Sequence, residues 1–152
     1  VAVYKDNMDV CDKCIKYLER ITTELEGTPF KVAYRTRNEF LLYVVNNLPY
    51  TQKENGTEDT QDLVIARALD EITSMKVLSR IEGDDSKVTE PFLTSLSKAI
   101  SDGLSQVLDV NWSEKDAPEV EKGTAAAKKS VSLAKIAEMQ KRLDSGYTSF
   151  WS

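Results

Sequence analysis

The chain has 152 residues, of which 41% are hydrophobic and 30% charged, as expected of one folded domain large enough to build its own core. A formal charge of −5 argues against a nucleic-acid footprint over the whole surface, although a local basic patch stays open. No apolar run approaches the about 20 residues of a membrane span and no secretory leader pattern opens the chain, so no membrane role and a cytoplasmic location are expected.

Val1-Ala2-Val3-Tyr4 reads as a short extended lead, and a start at Val1 rather than Met fits a fragment cut from a longer protein or a chain freed of a tag. Asp9 or Asp6 is placed to cap a first helix with Val10, Cys11, Cys14, Ile15, Leu18, Ile21 and Leu25 on one face. Gly27 and Pro29 stop it. Cys11 and Cys14 form the one CxxC of a chain that has no His. A zinc site there would need two carboxylates as further ligands, and a thioredoxin-like redox pair would need a βαβ setting that is missing. The expectation is two small apolar residues, at least one in the core, with no metal site.

Thr36-Arg37-Asn38-Glu39 has the spacing of a capping box, so the second helix is expected to start at Thr36 and to bury Phe40, Leu41, Val44, Val45 and Leu48 before Pro49. Residues 51–60 are polar and read as a mobile loop with a turn at Asn55-Gly56. From Gln61, Leu63, Val64, Ala66, Leu69, Ile72, Met75, Val77 and Leu78 put apolar groups on more than one face, which suits a central helix ended at Gly83-Asp84-Asp85. Thr89 with Pro91 opens a fourth helix carrying Phe92, Leu93, Leu96, Ile100, Leu104 and Leu108. Residues 109–129 read as a flexible loop. A last helix over 132–144 turns Leu133, Ile136, Met139 or Gln140, and Leu143 inward, and Gly146 ends it. Tyr147, Phe150 and Trp151 are expected to dock on the core; exposed, they would mark a seam with another domain. The whole is an all-α bundle of about five helices in a single domain, 1–152, with essentially no sheet.

Chemistry is sparse. There is no Gly-x-x-x-x-Gly-Lys-Ser/Thr phosphate loop, no strand ending in a paired acidic magnesium site and no histidine base. The hydroxyls have no visible activating partner, and Asp84-Asp85 lies in a turn without calcium-loop spacing. The isolated chain is therefore not expected to be an enzyme. Arg35 and Arg37 stand out because the helix dipole disfavours cations at a helix N-terminus. They form either a surface pair bonded to carboxylates such as Glu39 or Asp70, or a fork that receives phosphate oxygens.

Tyr34-Arg35-Thr36-Arg37-Asn38-Glu39-Phe40 resembles the opening of the C-terminal helical region of McrB-type AAA+ nucleotidases, the motor subunits of modification-dependent restriction systems. Ala68-Leu69-Asp70 through Lys76-Val77-Leu78-Ser79-Arg80-Ile81-Glu82-Gly83 is similar to a second phrase of that family. Ser130 through Leu143, then Ser145-Gly146-Tyr147-Thr148-Ser149-Phe150-Trp151, is similar to its closing phrase. The resemblance implies an AAA+ C-terminal lid that closes over GTP or ATP with Mg held by an upstream P-loop core, with no cofactor bound by the isolated chain. It also implies a homo-oligomeric ring of neighbouring subunits and a partner nuclease, with DNA reached only through the assembled complex. Arg35 then becomes the phosphate-sensing lid arginine, Arg37 its reserve, and Arg80 a brace for the turn at Gly83. Ser79 stands where the family usually has Pro. A non-enzymatic helical interaction module is the alternative.

Overall fold

Among the residues that the computed structural model describes (7–48, 53–54, 57–58, 61–108 and 130–151), helix formation follows the apolar spacing closely. The first helix, α1 (Met8–Leu25), buries Val10, Cys11, Cys14, Leu18, Ile21 and Leu25, with Tyr17 as an addition to the expected face and Ile15 only half-buried. Asn7 precedes it without a side-chain cap, and Asp9 sits in the first turn instead of capping. Asp6 lies outside the described residues. Gly27 adopts a φ of 78°, which a side chain would resist, and the helix ends there.

The second helix, α2 (Tyr34–Asn47), starts two residues earlier than its capping box predicts. Ala33 is the residue before it, and no side chain caps it. Thr36 is already the third helical residue, buried to 7% exposure beside Phe40 and Val44. Glu39 turns away to pair with Lys76 at 2.8 Å. Burial of one face and a cross-helix ion pair thus displace the local box. Leu41, Val45 and Leu48 pack partly buried against the core, and Pro49 lies outside the described residues.

Where a polar loop is expected, β1 (Lys53–Glu54) and β2 (Thr57–Glu58) pair antiparallel, with Lys53 opposite Glu58. The loop reading of 51–60 is thus corrected at these four residues, and the turn expected at Asn55-Gly56 lies outside the described residues. The third helix, α3 (Gln61–Lys76), packs against α1, α2 and the two later helices, and is the centre of the bundle as its apolar faces require. Met75 is the exception, exposed at 47%. A 3-10 turn (Leu78–Arg80) follows, then β3 (Glu82–Asp84).

The fourth helix, α4 (Glu90–Leu108), opens as predicted: the Thr89 hydroxyl accepts the Phe92 amide at 3.2 Å. Leu93, Leu96, Ile100 and Leu104 are fully buried; the Leu108 side chain is outside the described set. The 109–129 segment also lies outside the described residues. The last helix, α5 (Val131–Leu143), is capped by Ser130, whose hydroxyl accepts the Leu133 amide, and it buries Met139 rather than Gln140. After Gly146 (φ 95°), β4 (Tyr147–Ser149) pairs antiparallel with β3, Gly83 opposite Thr148.

The five described helices close around one core, so the all-α expectation stands. The absence of sheet is corrected by two ladders of two and three residues, too short to leave a period in the sequence. The aromatic tail is corrected in part: Phe150 packs partly buried against the core as expected, and the other two rings do not. β4 turns Thr148 and Ser149 inward and leaves Tyr147 and Trp151 exposed at 49% and 76%. Thr148 fits because its hydroxyl donates to the Met139 carbonyl at 2.8 Å.

Candidate functional site at the head of the second helix

Three contacts lead the chain into α2. The Thr28 hydroxyl donates to the Leu25 carbonyl at 2.6 Å and accepts the Phe30 amide at 3.1 Å, which turns the chain back after α1. Phe30 is then buried, its ring stacked on Phe92 of α4 at 5.9 Å. Lys31 and Ala33 are exposed and Val32 is half-buried, and the Thr36 amide donates to the Ala33 carbonyl at 3.0 Å as the helix begins.

This head carries an unusual charge pattern. Its first turn has no acidic residue, while Arg35 and Arg37 occupy the second and fourth helical positions, both exposed. The Arg37 guanidinium lies 5.6 Å from the centre of the Tyr34 ring, a cation–π contact at an exposed site. Tyr34 is itself 81% exposed. Neither arginine makes an ion pair with the described residues. The two carboxylates that sequence reasoning offered them are engaged elsewhere: Glu39 holds Lys76, and Asp70 serves α5. In a chain of net charge −5, the helix dipole, Lys31, Arg35 and Arg37 therefore add at one end of α2, with no carboxylate among the described residues paired to either arginine.

Asp70 is the polar centre of the bundle. Its carboxylate accepts the Ser130 hydroxyl at 2.6 Å, the Val131 amide at 2.8 Å and the Ser132 amide at 3.1 Å. The Ser132 hydroxyl donates to the Asp70 carbonyl at 2.7 Å. A residue of α3 thereby caps the free amides of α5, a role that pairs residues 60 to 62 positions apart and leaves no local signature. Burial pushes the Asp70 carboxyl above the ordinary range, against the hydrogen bonds from Ser130, Ser132 and Val131 that pull it down.

The remaining sequence candidates separate from the head. Cys11 and Cys14 are free thiols, fully buried. Burial raises both and pushes Cys14 to about 12, which disfavours the thiolate form. Among the described residues no three His, Cys, Asp or Glu gather around a cation position. Asp84 closes its own turn, accepting the Ser86 hydroxyl at 2.6 Å and the Ser86 and Lys87 amides, which hold its carboxyl below the usual range. The Ser79 hydroxyl donates back to the Met75 carbonyl at 2.6 Å. Arg80 does not brace the turn at Gly83; its Nη2 donates to the Lys31 carbonyl at 3.4 Å, because the 3-10 turn aims it back across the bundle. Phe150 sits under Lys135 (4.9 Å to the ring centre) and edge-on to Trp151 at 4.8 Å.

A family model described as "Domain of unknown function (DUF8727)" matches residues 2–147. No curated protein and no solved structure matches the chain.

Proposed function

The chain belongs to this DUF8727 family of domains of unknown function, and from its residues we propose that it is the C-terminal lid of an McrB-like AAA+ nucleotidase subunit. The observation that carries the reading is the head of α2: two exposed arginines and a bare helix N-terminus with no carboxylate among their described partners. Such a head gains when an anion arrives, since the guanidinium fork, the free amides and the dipole all favour phosphate oxygens. Arg35 is assigned to the terminal phosphates of a GTP or ATP with Mg bound by an upstream P-loop core. Arg37, already engaged with the Tyr34 ring, is the reserve.

The phrases that carry the resemblance also support it by their arrangement. The stretch ending in Gly83 pairs with the stretch around Thr148, and Asp70 receives Ser130 and Ser132. Lid rotation would then carry the arginine toward or away from the nucleotide, coupling ring assembly with neighbouring subunits to nucleotide state. In this reading DNA and a partner nuclease meet the domain only through the cytoplasmic assembly. No described helix is long and apolar enough to cross a membrane.

The test is nucleotide affinity in a protein that joins this domain to its P-loop core. Loss of one charge-assisted contact costs about 1.5–3 kcal/mol, so Arg35→Ala should weaken binding of a non-hydrolysable GTP or ATP analogue on the order of 10- to 100-fold. Unchanged affinity together with unchanged oligomerisation defeats the assignment.

Exposure of Tyr147 and Trp151 favours a second reading, a non-enzymatic helical module whose aromatic tail meets a protein partner. A stable complex of the chain with a protein lacking a P-loop, lost in Trp151→Ala and kept in Arg35→Ala, selects that reading over the lid.

A further inference from the structure

Between Phe30 and the first turn of α2, Val32 packs partly buried against the core while Lys31 and Ala33 are exposed. Phe30 is anchored by burial and by its stack on Phe92, and Thr36 and Phe40 are anchored by the core beneath the helix. Lys31, Val32 and Ala33 lie between these anchors. The one side-chain hydrogen bond that reaches their backbone from the described residues is the Arg80 guanidinium on the Lys31 carbonyl. The Arg80 side chain has no other hydrogen-bond or ion-pair partner among those residues, although it is exposed.

The footing of Arg80 is buried by comparison. The Arg80 amide donates to the Val77 carbonyl at 3.2 Å and the Ile81 amide to the Leu78 carbonyl at 3.0 Å. Val77, Leu78 and Ile81 are buried to 1% exposure or less. The next residue, Glu82, is paired with Ser149 in the β3–β4 ladder, and Arg142 Nη1 ties the far strand to α5 by donating to the Ser149 carbonyl at 2.8 Å. A guanidinium mounted on a buried turn therefore reaches the backbone of an exposed residue on the approach to α2.

We propose that Arg80 is a positioning residue for the α2 head: it holds the Lys31 carbonyl so that Arg35 and Arg37 keep one place relative to the bundle. The functional meaning of the clamp rests on the lid reading of Arg35; the clamp itself does not.

Backbone order parameters of the 152-residue chain test it without any nucleotide. In the wild type, Val32 to Arg35 should show values near about 0.85, the level of rigid backbone, and in Arg80→Ala these should fall toward about 0.6. Arg80→Lys, which keeps one donor at the end of a long stem, should restore most of the loss, while the urea midpoint stays within error in both variants. Order parameters unchanged in Arg80→Ala overturn the proposal. So does a loss that Arg80→Lys does not recover, or one spread equally over α4. A failure here leaves the lid assignment standing, because nucleotide affinity of Arg35→Ala is read separately; an intact clamp with a nucleotide-indifferent Arg35 sinks the lid assignment alone.

Discussion

Gly103 is the residue that lets Tyr17 lie inside the bundle. A Cβ built at Gly103 would sit 2.6 Å from Cδ1 of the Tyr17 ring, far inside contact distance. Tyr17 is 1% exposed, and its hydroxyl donates to Thr73 at 2.7 Å, the Thr73 hydroxyl passing on to the Leu69 carbonyl. Alanine gains roughly 1 kcal/mol over glycine in a helix interior, but overpacking a tight contact costs about 1–3 kcal/mol. Gly103→Ala should therefore be neutral to destabilising by up to about 2 kcal/mol in urea unfolding, despite its better helix propensity. A clear gain in stability would mean that the ring moves aside freely. Tyr17 escaped the sequence reading because a tyrosine beside Lys16 looks amphipathic, and the partner that satisfies its hydroxyl is 56 residues away. Cys11 and Cys14, in contrast, were legible as core residues from helical spacing alone. Burial raises both thiols, so both should resist iodoacetamide in the folded chain at neutral pH and react once urea unfolds it. Rapid alkylation of either without unfolding would contradict the packing.

At the scale of elements, the start of α4 was readable because its signal is local, whereas α5 was read from its apolar spacing and placed from residue 132, without its Ser130 cap. Thr89 and Ser130 each accept an amide three residues on. Thr89→Ala should cost about 1 kcal/mol, seen as a lower urea midpoint with an unchanged slope. The start of α2 was misread because a local box lost to tertiary burial of Thr36 and to the Glu39–Lys76 pair. The Asp70 cap was not legible at all, since its donors come from a distant helix. Asp70→Asn replaces one acceptor oxygen with a donor that faces donors, and should destabilise by about 1–3 kcal/mol. Its pH dependence carries a sign. Burial lifts the folded-state carboxyl above its unfolded value, so the stability tied to the neutral form is complete below about pH 4 and is lost as pH rises through the raised folded value. The margin of wild type over Asp70→Asn should therefore be widest near pH 4 and narrow toward neutrality. The opposite trend would mean that the three hydrogen bonds outweigh burial.

For the whole molecule, the all-α bundle and its central third helix followed from apolar spacing, since repeated three-and-four periods over long segments survive in any packing. The β3–β4 ladder did not, because three-residue strands separated by two helices have no period to read. That ladder bears on the tail: Thr148 and Ser149 are buried where β4 pairs with β3, Tyr147 before them is exposed, and Phe150 after them packs partly buried on the core. Of the candidate site, the two arginines and their helix end were legible; the absence of described carboxylate partners was not, because it depended on where Glu39 and Asp70 go. What results is an acidic bundle with one cationic helix end whose arginines have no ion pair among the described residues, which the lid reading turns toward a nucleotide. Turnover tests that claim most directly. With the domain joined to the P-loop core that the lid reading requires and nucleotide saturating, Arg35→Ala should lower kcat on the order of 100-fold or more, the scale of losing one preorganised donor to transition-state charge. Arg37→Ala should change it by less than about tenfold, the scale of an exposed cation–π contact. A kcat for Arg35→Ala equal to that of the wild type, in a protein that still assembles, would contradict the account.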